Sequence, residues 1–211
     1  MSVIKDRKTI IRETKQQFIV NVTNDLFSEI GIDNTSMDDI AMKANYTKRT
    51  LYAYFKSKDE IFLWAFTDDI FKRWEYQKVE ILKAGNGLDK LRAWAFSLYE
   101  YSVKNPHSMQ MQNFMDYNSI NKEKVAPDIF QRFESFNLMM ANVLRDALKL
   151  GVEDGSIRED IEIDITISQF AYAFRAVLYR TFSSAYSFTK IDQATYINHY
   201  LEMTMRSIRK V

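Results

Sequence analysis

The chain has no cysteine, which excludes both a disulfide framework and thiol chemistry and fits a reducing compartment. Two prolines and five glycines in 211 residues are too few for a flexible linker, and they fall where helices would begin or end. No apolar run approaches the about 18 residues needed to span a bilayer, and residues 1–8 are too polar for a secretion signal. An intracellular, cytoplasmic protein is the expectation. Histidine is scarce: His107 and His199 stand far apart, and the only acid at helical spacing is Glu202, three residues after His199. Glycine-rich phosphate loops and nucleophile elbows are missing too. The sequence therefore predicts a protein that is not an enzyme and holds no metal or cofactor.

What is present is helical periodicity, with 46% apolar residues to supply a core. The first helix is expected to end at Ile30, with Ile11, Phe18, Val22, Leu26 and Ile30 as its inner stripe and Gly31 as its C-cap. Further helices are predicted over about 58–83, 88–104 and 106–118, from Pro127 to Leu150, from Asp164 to about Ser187 and from Asp192 to about Arg209. Gly151 and Gly155 bracket a break. Together with two short helices between residues 36 and 58, this gives nine helices and no strand, an all-α fold. Charge is uneven along it. Residues 1–58 hold ten Lys/Arg against seven Asp/Glu, and residues 59–211 hold nineteen against twenty-one. A mildly basic head, with Lys5, Arg7, Lys8, Arg12 and Lys15 at its start, suits a polyanionic partner.

Residues 36–58 are the most informative stretch. Met37, Ile40, Ala41 and Ala44 recur at i, i+3, i+4 and i+7, and Ser36 with Asp39 makes a capping-box pattern in front of them. Asn45 is the non-glycine residue best suited to a left-handed turn. Thr47 caps a second helix, with Tyr46 placed to staple onto Leu51. Leu51 and Phe55 face inward, leaving Lys48, Arg49, Tyr52 and Ala53 outside. A short helix that starts with two cations and carries aromatics suits a major groove. Ser57 and Glu60 form a second capping-box pattern.

These residues resemble the DNA-binding head of the TetR family of transcriptional regulators. The likeness is carried by A-x-x-A-x-Y-T-K-R-T-L-Y-A-Y-F-K-S-K at 41–58, by T-S-M-D-D-I-A at 35–41 and by D-L-F-S-E-I-G at 25–31. Two positions depart from it. The family usually has glycine at Asn45, and Asp38 replaces a polar or basic residue, so Asp38 is given no contact. The resemblance implies a three-helix helix-turn-helix domain at 1–56 and a larger helical effector-binding and dimerisation domain at 57–211. It implies that Lys48 and Arg49 approach base edges, that Thr50, Tyr52, Tyr54 and Lys58 hold phosphates, and that Ser36 and Thr47 add anion contacts. It also implies a homodimer on a double-stranded operator, paired through Phe170, Phe174, Val177, Ile197, Tyr200, Leu201 and Met205 of the last two helices.

Aromatics and methionines on the middle helices suit a packed core residue by residue, and collectively an apolar pocket. Trp64, Trp74, Trp94, Tyr99, Met111, Phe114, Met115, Phe136, Met140 and Tyr179 are the nominees for a small-molecule effector, with Asp116 and Glu134 as acids that would face a cationic one. The expected function is a repressor that an apolar or amphipathic effector releases from its operator. Two alternatives stand beside it: a DNA-binding activator or architectural protein without effector, and a helical small-molecule-binding protein.

Overall fold

A computed structural model of the chain describes residues 6–118, 120–182 and 191–210. Among them are nine α-helices, one short 3₁₀ turn at Lys122–Lys124 and no strand. The helices are α1 (Arg7–Ile30), α2 (Met37–Lys43), α3 (Lys48–Tyr52), α4 (Lys58–Lys83), α5 (Gly87–Lys104), α6 (Pro106–Tyr117), α7 (Pro127–Glu153), α8 (Ile163–Phe182) and α9 (Gln193–Ile208). Their starts follow local chemistry. Side-chain oxygens of Asp6, Asn86 and Asp192 accept from backbone N–H groups that the first turns of α1, α5 and α9 leave unpaired. Gly31, at φ 85, ends α1 and returns its N–H to Phe27 O. The expected end of α8 near Ser187 and the cation Lys5 lie outside the described residues.

Two expectations need correction. The inner face of α1 is Gln16, Ile19, Val20, Thr23, Leu26 and Phe27. Ile11, Phe18 and Ile30 are instead exposed, and of the expected stripe only Leu26 is buried. Polar residues disguise that face, yet both are satisfied where they lie: Thr23 Oγ1 donates to Ile19 O at 2.8 Å and Gln16 Nε2 to Tyr54 O at 3.2 Å. Gly151 does not break α7, which runs through it to Glu153. A Cβ there would lie 2.3 Å from Ile157 Cδ1, so this glycine serves close packing.

The chain divides into two compact units. The first runs through Asp69 and adds Phe114–Glu134, so the unit holding the head continues beyond residue 56 and is assembled from two separate stretches. Its core joins Phe27 to Phe62 (centroids 6.0 Å) and Phe62 to Phe114 (4.7 Å), and Leu63 packs with Val125 and Ile129. The second comprises Ile70–Asn113 and Ser135–Val211. There α9 packs against α5 and α8 around Leu91, Leu98, Phe174, Leu178, Ile197 and Leu201.

Candidate nucleic-acid interface

The α2–α3 turn is built by its caps. Ser36 Oγ accepts from Asp39 N at 3.2 Å while Asp39 Oδ2 accepts from Ser36 N at 2.9 Å, completing the capping box. Both Ser36 hydrogen bonds hold the Asp39 carboxyl below the usual aspartate range. Asn45 adopts φ 55, the left-handed conformation that the turn demands. Thr47 Oγ1 then accepts from Thr50 N at 3.1 Å to start α3. Tyr46 sits between two other rings, edge-on to Phe18 (6.2 Å) and stacked with Tyr54 (6.4 Å), which explains why half-exposed Phe18 stays on the α1 surface.

Leu51 and Phe55 are buried to 0% and 1% exposure and anchor α3 to the core. Lys48, Arg49, Tyr52 and Ala53 project outward. The helix proper has five residues, and its end is tied back to α1. Arg12 Nη2 donates to Ala53 O at 3.0 Å with its guanidinium 5.4 Å from the Tyr54 ring centre, and Gln16 takes the next carbonyl. These bonds satisfy carbonyls that a helix C-terminus leaves open. Arg12 and Gln16 are thus positioning residues that sequence reasoning missed. The basic character of the first helix was the available signal, but it pointed to phosphates.

The structure sorts the expected DNA contacts by their availability. Arg49 is exposed and unpaired among the described residues. Lys48 Nζ pairs with Asp38 Oδ2 at 2.9 Å, and that hydrogen bond raises the ammonium pKa above the ordinary lysine value. The Ser36 hydroxyl proton is committed to Asp39. Thr47 and Thr50 hydroxyls share one hydrogen bond at 2.8 Å, which leaves one proton free for an anion. Tyr52 is exposed, and Tyr54 is half-buried under Arg12. Lys58 Nζ donates to Ile32 O at 2.8 Å and Asp33 O at 3.4 Å, so it braces the loop between α1 and α2. Glu60 is 3% exposed and accepts from Lys56 N at 2.6 Å; burial pushes its carboxyl above the usual glutamate value.

The other nominated residues scatter. Trp64, Phe114 and Met115 belong to the first unit, and Trp74, Trp94, Tyr99, Met111, Phe136, Met140 and Tyr179 to the second. A cleft of about 460 Å³ in the first unit, beside the end of α3, meets only Trp64 of the ten. Glu134 is exposed and lies 3.7 Å from Lys122, and Asp116 is exposed. The residues expected to pair two subunits lie mostly on the inward side of their helices. Phe170, Phe174, Ile197, Leu201 and Met205 are 0–6% exposed inside the subunit's own core, and Val177 and Tyr200 are partly buried against it. A helix apolar nearly all round offers two candidate faces, and the stripe chosen from the sequence is the inward one. The outward face of α8 carries Ile165, Tyr172 and Tyr179.

A family model described as bacterial regulatory proteins, tetR family, matches residues 19–64, the stretch that contains α2 and α3. The HTH-type transcriptional repressor KstR2 of Rhodococcus jostii is 30% identical over 154 residues, covering 70% of each chain. The chain belongs to the TetR family. As a TetR-family protein it is a DNA-binding transcriptional regulator and not an enzyme. Solved structures share this fold across nearly the whole length. The ketosteroid transcriptional regulator KstR2 of Mycobacterium tuberculosis matches with TM-score 0.61 at 20% identity, over 93% of this chain and 95% of the other. FadR of Bacillus subtilis in complex with stearoyl-CoA matches with TM-score 0.71 at 17% identity, over 92% and 99%. TetR-family regulators bind operator DNA and small-molecule effectors. No helix among the described residues of this one is long and apolar enough to cross a membrane.

Proposed function

We propose that this cytoplasmic regulator binds its operator as a homodimer, with α3 of each copy in the major groove and two half-sites about one turn, or 34 Å, apart. The observation that carries the reading is the division of α3 into a buried side, Leu51, backed by Phe55 just beyond the helix, and an exposed side, Lys48, Arg49 and Tyr52. Arg49 reads a base edge, Lys48 reaches one on leaving Asp38, and Thr50, Tyr52 and Tyr54 hold phosphates with the Thr47 end of the helix. A single five-residue helix reads too few bases for a unique site, which is the physical argument for two copies.

The effector in this reading is a large apolar molecule with a carbonyl oxygen, of the fatty-acyl or steroid class. Trp94 supports it. Its ring lies 5.6 Å from Phe170 and 6.2 Å from Phe174, and its buried Nε1–H has no acceptor among the described residues. An unpaired buried donor costs about 1–3 kcal/mol, which a ligand oxygen would recover. Tyr99, Trp74 and Met140, which belong to or pack against the same core cluster as Trp94, supply apolar surface. Release follows if the effector binds the DNA-incompetent state more tightly than the competent one.

The test is fluorescence anisotropy on duplexes that tile the DNA flanking the protein's own coding region, with light scattering for mass. Saturable, salt-sensitive binding to one duplex by a dimeric protein is expected, with dissociation on adding stearoyl-CoA or a ketosteroid. Indifference to all DNA at low salt refutes the interface; unaltered affinity with both compounds refutes the effector class.

A further inference from the structure

We propose that Asp38 is a specificity-determining residue that acts on DNA through Lys48. The inference rests on the reading of α3 as the groove-facing helix. Lys48 is the first residue of α3, and its Nζ lies 2.9 Å from the Asp38 carboxylate on α2. The two side chains are 54% and 67% exposed, so the pair adds little to folding. Nor does α2 require Asp38 as a cap, because Asp39 already completes the box with Ser36. What the pair does govern is the availability of one ammonium on the groove-facing surface, where the neighbouring Arg49 has no such restraint.

The electrostatics make the tether selective. Any phosphate can attract a free Lys48, whatever the sequence beneath it. A tethered Lys48 must give up its carboxylate first, and the bare Asp38 carboxylate then faces the polyanion. On random DNA the exchange of one anionic partner for another gains little. At the cognate site a correctly placed base acceptor adds to the phosphate field and draws the ammonium away. Asp38 therefore penalises random sequence more than operator, which is how a repulsive group raises discrimination.

Asp38→Asn tests this on the full-length protein, with a random-sequence duplex and an operator recovered by selection from a randomised duplex pool. Released Lys48 neutralises one more phosphate, so the log K against log salt slope on random DNA steepens by about one. Random-DNA affinity at low salt should rise about 3–10-fold, that for the operator should change less, and their ratio should fall. In Asp38→Asn/Lys48→Met the gain should vanish, a double-mutant cycle that isolates the pair. An unchanged slope in Asp38→Asn overturns the proposal, as does a gain that persists without Lys48, which would mark Asp38 as repelling phosphates directly. Absence of salt-dependent binding in the unaltered protein would refute the DNA-contacting reading itself, a separate outcome. Thermal unfolding of each variant guards against misfolding as the cause.

Discussion

Replacing Lys58 with alanine separates two ways in which a basic residue near DNA affects binding. Its ammonium donates to Ile32 O at 2.8 Å and, at the weak distance of 3.4 Å, to Asp33 O. A hydrogen bond from a charged donor is worth about 1.5–3 kcal/mol, and the longer contact adds little. The carbonyls stay close to water, so the low end applies. Lys58→Ala should therefore lose about 1–2 kcal/mol, a drop of a few degrees in a thermal scan for a chain of this size. Urea unfolding followed by circular dichroism gives the same quantity from the midpoint at constant slope. On DNA the variant should bind more weakly because the loop before α2 is less firmly held, while its salt dependence stays the same. If Lys58 instead touches a phosphate, that slope flattens by about one unit. An unshifted unfolding midpoint together with a flattened slope would refute the bracing role.

Four other substitutions probe separate parts of the molecule. Arg49→Ala should erode discrimination between the operator and single-base variants by about 1–3 kcal/mol at one position, measured by competition; equal loss on all sequences would make Arg49 a phosphate contact. Gly87→Ala would put a Cβ 2.1 Å from Gly151 N and 2.3 Å from Ala147 O, backbone atoms that cannot turn aside, and should cost at least about 2 kcal/mol. Gly85→Ala, with nothing within 4 Å, should be neutral or mildly stabilising, and equal effects at the two glycines would refute the close approach of α5 and α7. Glu60 has its folded pKa raised by burial, so the folded state binds its proton more tightly than the unfolded chain and stability falls as pH rises through that window. The stability of Glu60→Gln relative to the unaltered protein should accordingly grow as pH rises above the ordinary glutamate range. The depressed carboxylates Asp6, Asp39 and Asp154 titrate in both proteins and cancel in that difference.

The head was legible because its signals are local. Ser36 with Asp39, Asn45, and Thr47 with Thr50 each act within three residues, so the sequence alone carries the turn, its caps and the outward side of α3. The inner face of α1 was not, because Gln16 and Thr23 look like surface residues until their acceptors are known. For Lys48 and Lys58 the motif supplied position without partners; Asp38 and the Ile32 carbonyl are ten and twenty-six residues away. Burial on α8 was lost for another reason. Where apolar residues surround a helix, periodicity does not say which side meets the core and which a partner, and Phe174 and Tyr172 on opposite sides of α8 are 0% and 64% exposed.

The unit that holds the head borrows residues 114–134 from far along the chain, and this bears on how the head can be isolated. Ser57 Oγ donates to Lys124 O, Arg132 reaches Asp68 at 2.9 Å, and Val125 and Ile129 cover Leu63. A fragment cut after Asp69 would leave those partners behind and uncover the fully buried Leu63 to water. Grafting residues 1–56 alone would also strip Phe27 and Phe55 of Phe62 and Trp64, which meet them at 6.0 and 5.7 Å, and so transplant the recognition surface without its floor. A working chimera has to carry the distant segment too, or supply a substitute for it.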